Sequence, residues 1–524
     1  MKYAKLLVFL SVLFIGSCSQ QEGELFTTSS TILKDKIKGG WVGKAYGVSF
    51  GGPTEFGSQG AMIEGPLKLE EEGLEWLNWQ DDMYVNMALL KAIDENGLDA
   101  TAADFAQEFA YGGFMLWHAN GQGRQNLLAG IPPELSGHPK YNPHANDIDF
   151  QIEADFIGLV SPGLPVAAEA MCDKAGHLMN WGDGVYGGVF VSAMYAAAFI
   201  ENDVNRIVQL GLQALPEASL YAQTIADVIQ LHQQYPDDWA SAWQVIEERY
   251  NDDRCPWGAK NSFNISASIN GAYIAMGLLY GQGDYEKTID ISTRCGQDSD
   301  CNPANAGGVL GTMLGYENLP ESVQTVMVPH MDVVFEFTPY SMKTGTETCL
   351  RLALENIKAA GGTVNKEEVI IKVQEFKTIK AAEVAFPTLA IYDKFDLNDE
   401  RLTWTGSWES VNMKSEEGMR SSSETDASLA FPFEGNAIYV QGNIRHDHGI
   451  LEIFLDGKLV ETRDMYNPKL WERADQSTAV WLTGLADGVH TLLVRVTGQK
   501  NEDADGTIIS LGKIVSYIGE VAAL

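Results

Sequence analysis

The sequence predicts a multidomain protein in which an all-α domain is followed by a β-sandwich. Its 524 residues exceed the size of one ordinary domain. From about residue 31 to 360, Ala-rich amphipathic stretches recur and are separated by Gly and Pro. After about residue 395, short runs in which apolar and polar residues alternate become dominant, as in strands with one buried face.

Residues 1–18 are typical of a bacterial lipoprotein signal peptide. Two lysines precede an apolar run at residues 6–15, which is too short to span a bilayer. Small residues then lead to Cys18, which has the position of an acylated cysteine; the alternative is an ordinary signal peptide with a chance cysteine. We therefore expect lipidation at Cys18 and a membrane-anchored protein in the bacterial cell envelope, in the periplasm or at the cell surface.

Changes in composition divide the rest of the chain. The polar residues 19–30 are expected to form a flexible tether. The all-α domain spans residues 31–360, and a Gly-Gly pair ends its last predicted helix. Residues 361–394 are interpreted as a connector and residues 395–524 as the β-sandwich, in which an Asp-Gly turn at 456–457 predicts a hairpin.

The composition restricts the partners of the protein. The chain has 36 basic and 71 acidic residues and a formal net charge of −35. Such a surface repels phosphate backbones, so we expect no nucleic-acid partner. A small anionic substrate stays compatible with this charge, because a bound divalent cation inverts the local field.

The cysteines and histidines do not indicate a zinc site. No Cys-x-x-Cys motif and no Cys/His cluster is visible in the sequence. The widely spaced cysteines do not predict a disulfide framework either, although Cys295 and Cys301 are close enough in sequence to close a loop. Four histidines without metal-ligand spacing are interpreted as surface or hydrogen-bonded residues: His118, His138, His144 and His177.

Two pairs of aspartates predict a cation site. Asp81 and Asp82 begin a predicted helix, where the helix dipole stabilises negative charge. Asp298 and Asp300 alternate on a loop that precedes a helix rich in small residues. Each pair alone is also explained as a helix cap. Together, four carboxylates suit one or two Mg2+ ions, with Mn2+ as an alternative, because without a cation they would repel one another.

A third motif lies upstream of both pairs. Small residues spaced along residues 38–47 predict close packing of the first helix. The sequence Gly-Gly-Pro-Thr-Glu-Phe at residues 51–56 predicts a loop that presents Glu55.

In this order, the three motifs resemble those of the ADP-ribosylglycohydrolase family. The family has a helix with spaced glycines before a Pro-x-Glu-Phe loop, then Thr-Asp-Asp, then Gly-Asp-x-Asp-Thr-Asn before a Gly/Ala-rich helix. The corresponding segments here are Pro53 to Phe56, Gln80 to Asp82 and Gln297 to Asn302. The resemblance covers about residues 31–345 and implies an all-α fold with a binuclear Mg2+ centre in a cleft.

The resemblance also implies roles for individual residues. The metal ligands would be Asp81, Asp82, Asp298 and Asp300, and Glu55 would be a loop glutamate near the metals. The candidates for acid–base catalysis are Glu55, Asp82 and Asp300.

Two residues depart from the family pattern. Gln80 and Cys301 replace threonines that help to hold the metals. Gln80 still offers an oxygen, whereas Cys301 is a soft ligand and suits Mg2+ poorly. The sequence therefore leaves open one metal, a different metal or none, and leaves the substrate open as well.

Between the motifs, Gly-rich loops carry candidate substrate contacts. In one branch of the family a similar pattern is present, which implies that these loops line the cleft. An equally weighted interpretation is that they connect helices and bury aromatic residues. The candidate substrate-binding residues are Asp149, Gln151, Gly163, Trp181, Asp183 and Tyr186.

The C-terminal part resembles the galactose-binding-like jelly rolls of secreted glycan-active enzymes. Its aromatic residues would then stack on sugars, but burial in the core is the favoured interpretation. The residues concerned are Trp404, Trp408, Tyr466 and Trp471.

The sequence thus predicts a metal-dependent glycoside hydrolase that cleaves an N- or O-glycosidic bond of an ADP-ribosyl or related furanosyl substrate outside the cytoplasm. The export signal favours one alternative, an extracellular glycosidase that degrades glycans on the same fold. The departures at Gln80 and Cys301 support a second alternative, a non-catalytic glycan-binding lipoprotein. The expected partner is therefore a small molecule or a glycan.

Overall fold

The computed structural model describes residues 24–251, 254–411, 418–468 and 477–524. The expected signal peptide with Cys18 lies outside these residues, as do residues 19–23 of the expected tether and Trp471. No helix in the described part of the chain is long and apolar enough to cross a membrane.

The first domain is built from helices, as predicted. Short 3-10 turns separate several of them. The α-helices within the described ranges are α1 (Ser30–Gly51), α2 (Glu71–Glu75), α3 (Asp81–Asn96), α4 (Ala102–Tyr111), α5 (Ala119–Leu128), α6 (Asp149–Glu153), α7 (Asp155–Leu159), α8 (Pro165–Gly176), α9 (Asp183–Ala198), α10 (Val204–Gln213), α11 (Leu220–Gln234), α12 (Trp239–Tyr250), α13 (Ala267–Gly281), α14 (Tyr285–Arg294), α15 (Cys301–Leu314), α16 (Glu321–Met327) and α17 (Met342–Ala359).

The contact between α1 and α15 is unusually close. Four glycines recur at every fourth position of α1 and therefore lie on one face of the helix. A Cβ atom at Gly39, Gly43 or Gly47 would lie 2.2 Å from a backbone carbonyl oxygen of α15. A Cβ atom at Gly51 would lie 2.0 Å from the carbonyl oxygen of Ser299, just before α15. The two backbones touch along this stripe, which confirms the close packing predicted from the spaced small residues.

A small antiparallel sheet joins the two ends of the helical domain. It consists of β1 (Leu25–Thr28), β2 (Thr363–Val364) and β3 (Val369–Lys372), with β3 in the centre. Residues 25–28 were expected to belong to a tether, but they pair with β3 over four residues. The pairing is between segments more than 300 residues apart, so the local sequence contains no signal for it.

The C-terminal part is a sandwich of two antiparallel sheets. One sheet has the order β11-β10-β13-β8-β5 and the other has the order β12-β9-β14-β7-β6, with β4 paired to β14. The strands are β4 (Ala390–Phe395), β5 (Thr403–Thr405), β6 (Glu409–Val411), β7 (Met419–Ser422), β8 (Ser428–Glu434), β9 (Ala437–Gly442), β10 (Ile450–Leu455), β11 (Lys458–Asp464), β12 (Ser477–Leu482), β13 (Val489–Val496) and β14 (Ile509–Ile518).

Both sheets contribute to one core. Phe431 and Val494 from the first sheet and Val440 and Ile514 from the second are buried in the same apolar cluster. The predicted hairpin at 456–457 is confirmed, because both turn residues have positive φ and join β10 to β11.

Two of the candidate sugar-stacking residues pack onto the sandwich itself. Trp404 and Trp408 lie against its core with their ring centres 4.8 Å apart, and the Arg420 guanidinium lies 4.8 Å from the centre of the Trp404 ring. These contacts favour the interpretation that the two tryptophans are packing residues.

Polar and apolar contacts hold the sandwich against the helical domain. The Trp481 indole donates to the Pro139 carbonyl at 2.9 Å, and Lys513 Nζ donates to the Trp257 carbonyl at 3.2 Å. An apolar cluster shared by both domains surrounds Tyr439.

We predict that Gly47→Ala destabilises the protein by about 1–3 kcal/mol or more, the range for overpacked cores. The added methyl would meet a backbone oxygen at 2.2 Å, which no rotamer change relieves. Denaturant unfolding measures the effect. Gly121→Ala in α5 is the matched control, because its nearest new contact is at 3.4 Å. Equal stability of both variants would contradict the close-contact interpretation.

Candidate active site

The two aspartate pairs lie at the N-terminal ends of α3 and α15. Asp81 and Asp82 are the first residues of α3, and Asp300 is the N-cap residue of α15. The loop before α15 turns at Gly296 and Gln297, whose φ values are 80° and 54°. Both pairs therefore lie where the positive end of a helix dipole favours negative charge.

The Glu55 loop is attached to the loop that carries the second aspartate pair. The hydroxyl oxygens of Thr54 and Ser299 are 2.9 Å apart. The Phe56 N–H donates to the Gln297 carbonyl at 3.0 Å. These bonds bring Glu55, from the end of the first helix, to the beginning of α15.

The carboxylates come together in two adjoining groups. One oxygen each of Glu55, Asp298 and Asp300 lies within 4.8 Å of the others, and Asp82, Asp300 and Cys301 form a second group at the same spacing. One oxygen of Asp298 and one of Asp300 are buried without a hydrogen-bond partner. Buried oxygen atoms without donors are costly, and a hard divalent cation would satisfy them. The residues present therefore fit a cation such as Mg2+.

Lys44 is a fully buried counter-ion of this centre. Its Nζ lies 3.0 Å from Asp82 Oδ1 and 3.0 Å from Asp155 Oδ2, and it donates to the Ile152 carbonyl at 3.0 Å. Burial alone would lower the pKa of Lys44, but the carboxylates of Asp155 and Asp82 outweigh burial and raise it. The lysine therefore stays charged and fixes the position of Asp82.

Burial, together with crowding of negative charge, raises the pKa values of the carboxyls at the site. Burial, followed by the charges of Asp82 and Asp300, raises the pKa of Asp81 to about 8. Burial, followed by Asp82, raises the pKa of Asp300 to about 6. The pKa values of Glu55 and Asp298 are raised well above the ordinary range, first by loss of water around the carboxyl and then by neighbouring carboxylates. Glu55 is nevertheless accessible to solvent.

The two residues that depart from the family pattern lie at this centre. The Cys301 thiol donates to Asp82 Oδ2 at 3.0 Å, and burial raises the pKa of the thiol well above its ordinary value. Gln80 is the N-cap residue of α3 and lies near Gly52. The sequence left open whether Cys295 and Cys301 form a loop-closing disulfide, and in the structure both are free thiols.

Asp149 lies close enough to the centre to affect its electrostatics. It begins α6 and accepts the Ala119 and Asn120 N–H groups at 3.2 Å each. Burial raises the pKa of Asp149 to about 6, and its charge contributes to the raised pKa of Asp81. Gln151 accepts the Tyr221 hydroxyl at 2.6 Å, and its own amide nitrogen is buried without a partner.

The other four candidate substrate contacts have structural partners elsewhere. Gly163 is hydrogen-bonded to Ala196 and to Gln374, which follows the small sheet. The Trp181 ring lies between His138 and His177, with ring centres 4.5 and 4.6 Å away. Asp183 accepts the Tyr221 N–H at 2.9 Å, and the Tyr186 hydroxyl accepts the Glu383 N–H at 2.6 Å. These contacts support the interpretation of this segment as helix connections with buried aromatics.

The four histidines noted in the sequence are all buried. The interpretation that they are surface residues is therefore wrong. His177 is hydrogen-bonded to Asp173 and Glu383, and His138 lies 3.3 Å from the Ala523 carbonyl. His144 is paired with Asp147, whereas one ring nitrogen of His118 has no partner.

Three charged residues at the centre were not among the candidate site residues predicted from the sequence. Lys44 and Asp155 form the buried ion pair, and Glu153 accepts the Asn120 amide at 2.7 Å. Burial, followed by Asp149, raises the pKa of Glu153 well above its ordinary value. The sequence feature that could have indicated a buried charge is Lys44, which lies about one helical turn after the buried Trp41 in an otherwise apolar stretch.

The helical domain matches the model of a known protein family. A family model described as ADP-ribosylglycohydrolase matches residues 29–334, which is more than half of the chain. The chain belongs to the ADP-ribosylglycohydrolase family. The resemblance inferred from the three motifs is thereby confirmed, and the family assignment supports a hydrolase.

Two curated proteins of Flavonifractor plautii match parts of the chain. One is an A type blood alpha-D-galactosamine galactosaminidase, 31% identical over 20% of this chain and 9% of the relative. The other is an A type blood N-acetyl-alpha-D-galactosamine deacetylase, 32% identical over 27% of this chain and 17% of the relative. The chain therefore spans less than a fifth of the length of either relative.

Solved structures are similar at low identity. An ADP-ribosylglycohydrolase-related protein complex has 13% identity and a TM-score of 0.39, and the match covers 62% of this chain and 99% of that chain. A two-domain esterase active on acetylated mannans has 14% identity and a TM-score of 0.22, and the match covers 34% of this chain and 47% of the esterase.

We predict that the metal-free protein loses stability as the pH rises through the raised pKa values of its carboxyls. The folded-state pKa is about 8 for Asp81 and about 6 for Asp300, against an ordinary value of 3.8 for both. Folding therefore favours the protonated forms, and their contribution is present below the ordinary pKa and is lost on the way to the raised one. Urea unfolding in EDTA measures this decline.

Asp81→Asn should flatten the decline between these pH values. The control is Asp332→Asn, which removes an exposed aspartate paired with Lys343. The same pH slope in Asp81→Asn and in the unchanged protein would contradict the assignment.

Proposed function

We propose that the protein is a divalent-cation-dependent glycoside hydrolase that cleaves an N- or O-glycosidic bond of an ADP-ribosyl or related furanosyl substrate. The main support for the proposal is that five carboxylates from separate segments of the chain lie close together. They are Glu55, Asp81, Asp82, Asp298 and Asp300. Membership in the ADP-ribosylglycohydrolase family supports the type of reaction.

The aspartates would hold one or two Mg2+ or Mn2+ ions. When bound, such an ion supplies Lewis-acid polarisation of oxygen atoms and a more acidic water. Lys44 holds Asp82 in position from within the core, and the Cys301 thiol bonds to the other oxygen of Asp82. Cys301 thus supports a ligand as a hydrogen-bond donor and need not act as a ligand.

Glu55 is the best-placed residue for proton transfer. In the metal-free protein the pKa of Glu55 is raised by burial of the carboxyl and by the neighbouring aspartates, and the residue is exposed to solvent at the edge of the centre. Both oxygens of Asp82, in contrast, are engaged by Lys44 and Cys301. We therefore assign donation of a proton to the leaving group to Glu55 and metal ligation to Asp82 and Asp300.

A second candidate is a glycosidase that acts on an extracellular glycan. Two relatives are named for enzymes that act on A type blood sugars. Next to the centre, Trp79 is 39% exposed and its ring lies edge-to-face with the 36% exposed Phe337, at 5.8 Å between centres. Exposed aromatic faces of this kind can stack on sugar rings or on an adenine base.

We also propose that the protein works in the cell envelope, with a lipid anchor at Cys18. The support is the pattern of charged, apolar and small residues before this cysteine. This location favours the glycan candidate among the two substrate classes.

Metal binding and turnover should be lost together in Asp81→Asn and Asp300→Asn. Calorimetry with Mg2+ and Mn2+ measures binding, and a panel of ADP-ribosyl, furanosyl and galactosaminyl substrates measures turnover. Because these residues would be direct ligands, the loss of kcat/KM should exceed the roughly 10- to 100-fold typical of outer-shell changes. Asp332→Asn is the control and should retain both properties.

Binding of no divalent cation at millimolar concentration would refute the metal-dependent mechanism. Binding of a glycan without turnover of any substrate would instead support a non-catalytic glycan-binding lipoprotein. Cleavage of galactosaminyl but not of ADP-ribosyl substrates would select the second candidate.

We predict that Trp79→Ala raises KM with little change in kcat. Loss of one stacking contact is worth about 0.5–1.5 kcal/mol, which corresponds to a rise of roughly two- to twelve-fold. Steady-state kinetics measures the effect on whichever substrate of the panel the unchanged protein cleaves. Tyr392→Ala, which removes a 43% exposed aromatic residue of the sandwich, serves as the control. An unchanged KM in Trp79→Ala would exclude Trp79 from substrate binding.

A further inference from the structure

We propose that His144, Asp147 and Cys255 form a second metal site, which binds a zinc-like cation and is separate from the carboxylate centre. His144 Nδ1 lies 2.9 Å from Asp147 Oδ2. Cys255 Sγ lies 3.3 Å from that nitrogen and 3.2 Å from that oxygen. All three residues are at most 3% exposed.

His144 Nδ1, Asp147 Oδ2 and Cys255 Sγ form a triangle of three close contacts. Two-centre hydrogen bonds cannot account for all three of them. In the plane of its ring, Nδ1 of His144 carries either one N–H or one lone pair, so it cannot donate to one neighbour and accept from the other. The thiol has a single proton. At most two of the three contacts can therefore be two-centre hydrogen bonds, whereas one cation between the three atoms would bind a lone pair from each.

The donor set and its dimensions suit zinc. Zinc binds imidazole nitrogen, carboxylate oxygen and thiolate sulfur at about 2.0–2.3 Å, so ligand atoms in a tetrahedral site lie about 3.3–3.6 Å apart. The observed separations need to widen by only a few tenths of an ångström. A thiolate and a carboxylate supply two negative charges for a divalent cation, and sulfur with imidazole favours zinc over magnesium.

A further buried nitrogen lies next to the triangle. The His118 ring is 5.7 Å from the His144 ring, centre to centre, and its Nε2 is buried without a hydrogen-bond partner. His118 is therefore a candidate for the fourth ligand position, with water as the alternative.

The position of the triangle in the fold indicates a structural role. Cys255 lies on the segment that the sandwich contacts through Tyr517, whose hydroxyl donates to the Arg254 carbonyl at 3.3 Å, and through Lys513 at Trp257. The His144 ring packs edge-on against Tyr439 of β9 at 6.2 Å. A metal here would fix the Cys255 segment to the helical domain at the domain contact.

The test is a titration of the purified, metal-free full chain with Co2+. A cobalt–thiolate bond produces a charge-transfer band in the near ultraviolet, which oxygen ligands do not produce. The band should appear in the unchanged protein, bleach on addition of Zn2+, which binds more tightly than Co2+, and persist in excess Mg2+.

Two serine variants show which cysteine supplies the thiolate ligand. Cys255→Ser should abolish the band, whereas Cys301→Ser, which removes the thiol at the carboxylate centre, should retain it. Asp81→Asn and Asp300→Asn should also retain the band while losing Mg2+, so this proposal and the proposed hydrolase can fail separately. Zn2+ should raise the melting temperature of the unchanged protein and not that of Cys255→Ser.

Absence of the band in the unchanged protein would overturn the proposal, and this result does not depend on the folding of any variant. A band that survives in Cys255→Ser and disappears in Cys301→Ser would overturn it as well, because the thiolate ligand would then belong to the carboxylate centre.

Discussion

The contact between α1 and α15 is the constraint on which the active site depends. Glycines at every fourth position let the two backbones touch, and Lys44, which lies between two of these glycines on α1, pairs with Asp82 and Asp155 in the core. The same closeness brings the loop at the end of α1 to the beginning of α15, where Glu55 meets Asp300. A side chain in the contact would push the helices apart, and the carboxylates would be displaced with them.

The centre concentrates negative charge, and the protein offsets only part of it. Lys44 is the buried ion-pair partner of Asp82 and Asp155, and two helix N-termini add partial positive charge. Burial, followed by this remaining charge imbalance, raises the pKa values of Asp81 and Asp300. Carboxyls held at a cost to folding are suited to a ligand of opposite charge, because binding relieves the repulsion.

Local patterns predicted the parts of the site that lie on single segments. Asp81, at a helix start, and Asp300, before a Gly/Ala-rich helix, are visible from their neighbours in sequence, as is the all-α to β transition that follows the end of α17. Contacts between distant segments were not predictable. The pairing of Lys44 with Asp155 and the approach of Cys255 to His144 join segments more than 100 residues apart, and no residue spacing records them. The order of the motifs along the chain was enough to identify the family. Which charged side chains contact one another is visible only in the fold.

The β-sandwich is mechanically connected to the centre through one apolar cluster. Cys255 and Trp257, which lie next to the sandwich, share this cluster with Cys301 at the carboxylate centre and with Phe56, the neighbour of Glu55. From the sandwich, Lys513 donates a hydrogen bond to the Trp257 carbonyl and so holds the segment that contains Cys255 and Trp257. A shift of the sandwich would therefore disturb the packing on which the Glu55 loop rests. The sandwich is thus part of the scaffold of the site, whether or not it also binds sugars.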